Sequence, residues 1–172
     1  MRIGEVLALS LDCINKKNNT LTVYRTLTQD KDNKTLMGKH TKTYDKRTGI
    51  DKGRRTFFMI PKVKQLIYEI INKPVVNIRQ LLFWNYLDNK FITPNEINSY
   101  LSRLNEKHKI STDTLTSHRL RHTFITRCRE QGMYLETIQE LVGHVEGSSV
   151  TDKIYIDVSQ EFMKQELSKI NF

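Results

Sequence analysis

The sequence predicts a mixed α+β domain that is mostly α-helical and contains a small antiparallel β-sheet. Two segments, residues 20–27 and 53–60, alternate apolar and polar side chains, which is typical of half-buried strands. Around them lie stretches whose apolar residues recur every three or four positions, which is typical of amphipathic helices. The chain has 172 residues, which is enough for one domain with a hydrophobic core.

The first half of the chain contains one short helix, both strands and a polar segment between them. Residues 2–10 have apolar side chains at helical spacing, and residues 15–19 form a turn cluster. Residues 28–53 are polar and charged, so we expect a long hairpin excursion there. A helix then starts at Pro61, because proline is favoured in the first helical turn. Its predicted apolar face consists of Val63, Leu66, Ile67, Ile70 and Ile71.

The second half is predicted to be helical after an ambiguous segment, residues 77–92. Thr93, Pro94 and Glu96 have the types expected at the start of a helix that runs to about Lys109. Further helices are predicted at about 117–131, 134–143 and 148–156, followed by a short amphipathic helix from Ser159. The apolar residues of this tail are Phe162, Met163, Leu167 and Ile170.

The composition favours a polyanionic partner and argues against a membrane or disulfide-rich protein. The formal net charge is +9 and the isoelectric point is about 9.6, which favours nucleic acid, although a merely basic soluble protein is an alternative. Cys13 and Cys128 are too few for a disulfide framework and fit a reducing cytoplasm. No apolar run approaches the roughly 20 residues of a membrane span. Arg2 and Glu5 interrupt any signal peptide.

Residues 115–155 contain the side chains most typical of a chemical function. His118 and Arg121 are three residues apart and therefore share one face of a helix. Gly143 and His144 follow after a helix-length segment, and Tyr155 follows these. Cations, imidazoles and one hydroxyl are the groups that a metal-free attack on a phosphodiester requires.

The order of these residues resembles the C-terminal catalytic domain of the tyrosine recombinases, the phage and transposon integrases. That family has an Arg, a Lys, His-x-x-Arg, Gly-His and a nucleophilic Tyr in this order. Arg2 with Glu5 resembles its first arginine box, and Thr41-Lys42-Thr43 followed by residues 54–57 resembles its lysine-bearing β-hairpin. The resemblance covers residue 2 to about residue 160. It implies the tyrosine recombinase catalytic-domain fold and site-specific DNA recombination or integration for a mobile element such as a phage.

The predicted roles centre on the scissile phosphate. Arg2 and Arg121 neutralise the charge that develops on the phosphoryl oxygens, and bidentate guanidinium geometry suits this task. His118 hydrogen-bonds the phosphate or accepts the tyrosine proton, because histidine is the side chain best suited to proton transfer near physiological pH. His144 donates a hydrogen bond to a non-bridging oxygen. In the family an acid at the position of Glu5 supports the site; the alternative is a simple i,i+3 ion pair with Arg2.

The resemblance also assigns the nucleophile and the general acid. Tyr155 attacks the phosphate, forms a 3′-phosphotyrosyl bond and frees a 5′-hydroxyl, although a tyrosine among apolar neighbours is normally part of a core. Lys42 protonates the departing 5′ oxygen. Lys46 and Lys52 are alternatives for this role, since exposed lysines are usually only solvated.

We expect neither a metal nor a cofactor. His118 and His122 are four residues apart, as in helical zinc sites, but the residues between them are Arg-Leu-Arg and no third ligand is placed. The arginines instead supply the positive charge.

Full-length members of the family place a helical core-binding domain before the arginine box, whereas this chain begins one residue before Arg2. We therefore expect residues 1–172 to be a single, N-terminally truncated catalytic domain without the core-binding domain. Double-stranded DNA is the expected partner, bound weakly and in a salt-dependent way. The resemblance also implies self-association through the C-terminal tail, as a tetramer on DNA.

Two other functions remain open from the sequence. A type IB topoisomerase shares the chemistry but relaxes DNA without joining sites, and the compact His-x-x-Arg to Gly-His layout favours the recombinase. A non-catalytic DNA-binding remnant of an integrase is the second alternative. Convergence of Arg2 and Lys42 on Tyr155 distinguishes the enzyme from the remnant.

Overall fold

A computed structural model describes residues 1–32, 34–73, 77–143 and 160–169, with the side chains of 160–162 left undescribed. Within these ranges the helices are α1 (Ile3–Leu7), α2 (Pro61–Ile71), α3 (Pro94–His108), α4 (Ser117–Glu130), α5 (Leu135–Val142) and α6 (Gln160–Ser168). The strands are β1 (Ile14–Asn15), β2 (Thr20–Val23), β3 (Leu27–Gln29), β4 (Thr35–Met37), β5 (Tyr44–Asp45), β6 (Ile50–Asp51), β7 (Arg55–Phe58), β8 (Trp84–Asn85) and β9 (Lys90–Phe91). The mostly helical α+β prediction is confirmed.

The central sheet has the order β1-β2-β7, and its pairs are antiparallel. Leu21 lies opposite Phe57 and Val23 opposite Arg55, so these four side chains share one face of the sheet. Leu21 and Val23 are buried, which makes this the core face. The alternation in the sequence therefore identified both strands.

The strand predicted over residues 20–27 is too long. β2 ends at Val23, and the chain turns away toward the end of α1, where Arg25 Nε donates a hydrogen bond to the carbonyl oxygen of Ala8 at 3.3 Å. Leu27 belongs to β3 instead and pairs with Met37 of β4. The excursion between the main strands thus folds into two short hairpins, β3–β4 and β5–β6.

The ambiguous segment before α3 also contains a hairpin, β8–β9, whose strands are two residues long and too short to show a period. Helix α3 begins as predicted, with two reciprocal hydrogen bonds at its start. The backbone nitrogen of Glu96 donates to Thr93 Oγ1, and the backbone nitrogen of Thr93 donates to the Glu96 carboxylate. Leu66 was placed wrongly on the apolar face of α2. It is 47% exposed, whereas Ile67 is buried.

The core joins the helices to the sheet through β7. Phe57 packs against both a cluster formed by α4, α5 and α6 and a cluster under β2 and α2. In α6, Met163 and Leu167 are buried in the first of these clusters, so this tail helix packs on its own domain. The predicted helix at 148–156 and Ile170 lie outside the described residues. No helix in the described part of the chain is long and apolar enough to cross a bilayer.

Candidate active site

Glu5 lies at the centre of a buried cluster of charged side chains. It is the third residue of α1, and its Oε2 accepts a hydrogen bond from the backbone nitrogen of Arg2 at 2.8 Å. Its Oε1 lies 3.2 Å from Arg2 Nη1. The Glu5 side chain is fully buried, whereas 27% of the Arg2 side chain is exposed. The predicted i,i+3 pair therefore forms, with the carboxylate inside the protein and the guanidinium at its surface.

Arg55 binds the same carboxylate from the opposite side. Its Nη2 donates to Glu5 Oε2 at 2.8 Å, and its Nη1 lies 3.4 Å from Oε1. The same side chain donates from Nε to the carbonyl oxygen of Leu141 at 3.0 Å and from Nη1 to that of Gly53 at 2.8 Å. One guanidinium thus connects α1, the start of β7 and the end of α5.

No motif in the sequence assigns Arg55 a role of its own. A signal was present, because Arg55 precedes Phe57 by two residues and therefore points to the core face of the predicted strand. An arginine at such a position requires a buried acid partner. Glu5, which is 50 residues earlier in the chain, is that partner.

The contacts of Glu5 keep its carboxylate ionised. Burial alone would raise the pKa of Glu5, but the hydrogen bonds and positive charge of Arg55, with a smaller contribution from Arg2, hold that pKa below its ordinary value. A carboxylate with a lowered pKa is charged at neutral pH and can hold both arginines.

Arg121 has no comparable partner in the part of the chain that the structure describes. It lies on α4, is 9% exposed, and its Nη1 and Nη2 are buried without a hydrogen-bond acceptor among the described residues. Burial, followed by the positive charge of Arg2, lowers the pKa of Arg121 to about 10, so the guanidinium stays protonated at neutral pH. Its donors are therefore available to an anion.

The cluster carries an excess of positive charge. Arg2, Arg55 and Arg121 contribute three positive charges and Glu5 one negative charge, which leaves a net charge of +2 for these four side chains. Buried cations without counterions are unfavourable in the absence of a ligand. This arrangement is suited to binding an anion such as a phosphate group.

The two histidines of α4 lie at its surface. His118 is one helical turn before Arg121, and its Nε2 is 2.9 Å from Nε2 of His122, so that one ring nitrogen donates to the other. Both side chains are exposed. Among the residues that the structure describes, no three metal-ligating side chains form a group that could hold a metal ion.

Lys42 is exposed and lies in the turn that precedes β5. The neighbouring Thr41 is fixed by Asp51, whose carboxylate accepts from the backbone nitrogen of Thr41 at 2.8 Å and from that of Gly53 at 3.1 Å. A Cβ at Gly53 would lie 2.0 Å from Thr41 Oγ1, so only glycine fits this contact. The carbonyl oxygen of Gly53 also accepts a hydrogen bond from Arg55. The backbone next to Lys42 is therefore linked to the charged cluster through Asp51 and Gly53.

Gly143 brings the end of α5 to the same cluster. Its φ of +67° is in the left-handed region that favours glycine, and a Cβ on it would lie 2.6 Å from Arg55 Nη1. The structure thus brings together Arg2, Glu5 and Arg121, with His118 one turn away and the Lys42 turn nearby. His144 and Tyr155 lie outside the described residues, and their roles stay predictions.

A transposon integrase and a recombinase are among the solved structures that share this fold. The integrase of transposon Tn1549, solved in complex with circular intermediate DNA, superposes with a TM-score of 0.68 at 20% sequence identity, covering all of this chain and 50% of that chain. The XerA recombinase gives a TM-score of 0.56 at 18% identity, covering 84% of this chain and 44% of that chain. The fold is that of a tyrosine recombinase catalytic domain.

The sequence comparisons show the family. The model of the phage integrase family matches residues 1–161, and the chain belongs to this family. The integrase of Staphylococcus phage L54a is 28% identical over 99% of this chain and 49% of its own length. Tyrosine recombinase XerC of Leptospira interrogans is 41% identical over 36% of this chain and 20% of its own length. The chain therefore spans about half the length of the phage integrase.

Proposed function

We propose that this chain is the catalytic domain of a site-specific recombinase or integrase that cuts and rejoins DNA through a 3′-phosphotyrosyl intermediate. The single observation that carries this function is the buried Arg121 guanidinium, which lacks an acceptor among the described residues beside the Arg2–Glu5 pair. Two arginines with free donors match the non-bridging oxygens of a phosphodiester. Membership of the phage integrase family favours this reaction over topoisomerase-like relaxation.

In the proposed reaction, the phenolic oxygen of Tyr155 forms a bond to the scissile phosphorus and the bond from phosphorus to the 5′ oxygen breaks. His118 accepts the phenolic proton, and Lys42 donates a proton to the departing 5′ oxygen. Arg2 and Arg121 stabilise the negative charge that increases on the non-bridging oxygens in the transition state. The covalent bond retains the energy of the phosphodiester, so a second 5′-hydroxyl can reverse the step and rejoin the strands without ATP.

We propose double-stranded DNA as the partner. The net charge of +9 favours a polyanion, and the Tn1549 integrase was solved in complex with circular intermediate DNA and with transposon right end DNA. Tetramer formation on DNA through the tail is part of the same proposal. Because α6 packs on its own domain here, exchange of this helix between protomers requires its release from the cluster around Met163.

The test uses a pool of nicked DNA duplexes with randomised sequence around the nick. After cleavage the short strand between the cut and the nick diffuses away. Rejoining is then impossible, and the covalent adduct is trapped. Covalent protein–DNA adduct on a denaturing gel supports the proposal, and sequencing of the trapped DNA identifies the preferred site. The Tyr155→Phe variant keeps the ring and should bind DNA without forming adduct. EDTA should leave adduct formation intact, because arginines supply the charge that a metal would supply. Adduct in the Phe variant, or none in the parent protein, would contradict the proposal.

A further inference from the structure

We propose that Arg55 is a positioning residue of the strand-transfer reaction, which holds the Arg2 helix, the lysine-bearing hairpin and the end of α5 in one arrangement. This inference rests on the proposed function. Arg55 is not among the site residues that the sequence motifs predict.

The contacts of Arg55 are distributed over three separate parts of the chain. Toward α1 it binds both oxygens of Glu5, and Glu5 in turn accepts from the backbone and side chain of Arg2. Toward the hairpin it donates to the carbonyl oxygen of Gly53, and toward α5 to that of Leu141. A planar guanidinium with donors in fixed directions can satisfy all these acceptors at once, whereas an ammonium group cannot.

The burial of this network makes it a rigid support. Arg55 and Glu5 have side-chain exposures of 5% and 0%, so solvent does not screen their interaction. Gly143 packs directly against the guanidinium, and a Cβ at this position would lie 2.6 Å from Arg55 Nη1. A shift of Arg55 would therefore move α1 and the end of α5 together.

Arg55 also determines how much positive charge reaches the phosphate. Because it forms a close, two-point pair with Glu5, the charge of that carboxylate is offset mainly by Arg55. Arg2 contacts Glu5 through Nη1 at 3.2 Å and is partly exposed, so its remaining donors can bind a ligand. Without Arg55, Glu5 would bind Arg2 more strongly and compete with the phosphate for it.

The experiment compares Arg55→Gln and Arg55→Lys with the parent protein, using the trapped DNA sequence as a fixed nicked substrate. The first measurement determines two quantities independently. These are the dissociation constant for DNA and the single-turnover rate of adduct formation at saturating protein. We expect affinity within about threefold of the parent, because few phosphate contacts change. We expect a rate at least about 100-fold lower in the Gln variant, the typical cost of misplaced catalytic groups. The control is Arg54→Gln, which removes the same charge at the exposed neighbouring position and should change the rate by about twofold or less.

The second measurement is the pH profile of the rate, which a purely structural role would not alter. The groups facing Glu5 are the guanidinium groups of Arg2, Arg55 and Arg121 and the α-amino group of Met1, whose pKa burial lowers to about 5. In the Gln variant Glu5 loses its principal partner, and burial then raises its pKa, so the acid limb of the rate should move toward neutral pH. The Lys variant keeps the charge and should have the parental profile with a reduced rate. The double variant Glu5→Gln/Arg55→Gln should lack the shifted limb.

The outcomes separate the two proposals. Adduct in the parent, none in Tyr155→Phe, and a parental rate in folded Arg55→Gln or Arg55→Lys would overturn the positioning role alone. No adduct in the parent would overturn both. If thermal unfolding shows that the Gln variant does not fold, the Lys variant decides, and a parental rate in that variant would refute the inference.

Discussion

Replacing Glu5 with alanine should destabilise the protein far more than removing an exposed carboxylate from the first turn of a helix usually does. In the folded protein Glu5 accepts hydrogen bonds from the Arg2 backbone and from two nitrogens of Arg55, with a side-chain exposure of 0%. In the variant, Nη2 of Arg55 loses the only acceptor that it has among the described residues, and three guanidinium groups remain without the central carboxylate. Removing one partner of a buried ion pair costs about 3–5 kcal/mol.

A matched control exists at the start of α3. Glu96 also accepts a hydrogen bond from the backbone nitrogen at its helix start, that of Thr93 at 2.7 Å, but its side chain is 41% exposed and its partner Lys90 is at the surface. Glu96→Ala should therefore cost only about 1 kcal/mol, as for other capping contacts. The comparison isolates the contribution of burial and of Arg55.

The assay is urea unfolding followed by circular dichroism, with the free energy of unfolding extrapolated to water and an unchanged m-value as the test of two-state behaviour. In a protein of this size about 1 kcal/mol shifts the melting temperature by roughly 2–4 °C, so Glu5→Ala should melt at least about 6 °C below the parent. Glu5→Gln keeps the shape and one acceptor oxygen and should lie between the two. Equal losses for Glu5→Ala and Glu96→Ala would refute the view that Glu5 holds a buried cationic cluster.

Three further outcomes follow from the same cluster. Arg121→Met should raise the free energy of unfolding by about 1 kcal/mol or more in urea titrations, because it removes an unpaired buried charge, and should abolish adduct formation. Between pH 7 and 3 the free energy of unfolding of the parent should decrease as the pH falls from about 4.3, the ordinary pKa of an unfolded glutamate, toward the lowered pKa of folded Glu5. The stabilisation from Glu5 is complete above this range and is lost as its carboxylate is protonated, so Glu5→Gln should show a shallower loss. Gly143→Ala should destabilise by more than about 1 kcal/mol, because its φ is positive and its Cβ would overlap Arg55; an unchanged melting curve would contradict that contact.

The sequence predicted the long elements well, because their signals are local. Thr93, Pro94 and Glu96 define the start of α3 within three residues of one another, and the alternation in β2 and β7 marks the core face directly. The β5–β6 and β8–β9 hairpins have two-residue strands, in which no period can be recognised. In the first of these hairpins Asp51 accepts hydrogen bonds from the backbone nitrogens of Thr41 and Gly53, and periodicity does not predict such contacts.

The same distinction between local and distant contacts applies to the site. Spacing along a helix identified the Arg2–Glu5 pair and the relation of His118 to Arg121, since residues three apart are neighbours on a helix. The pairing of Arg55 with Glu5 joins segments 50 residues apart, and no spacing rule predicts it. The burial of Arg121, which has no acceptor among the described residues, likewise depends on how α4 packs against α3 and α5, which the sequence alone does not specify.

Among the described residues, the cluster has one carboxylate for three guanidinium groups, and Arg121 is the one that has no acceptor. A second carboxylate, as a fifth charged group, would stabilise the folded protein but would occupy the donors of Arg121. In the proposed function a bound phosphate takes the place of that missing carboxylate. Arg121→Met and Glu5→Ala change this balance in opposite directions: the first should stabilise the fold and prevent reaction, and the second should weaken the fold while leaving Arg121 in place. A site selected for stability alone would pair every arginine, so we propose that Arg121, which has no acceptor among the described residues, marks the position of the phosphate.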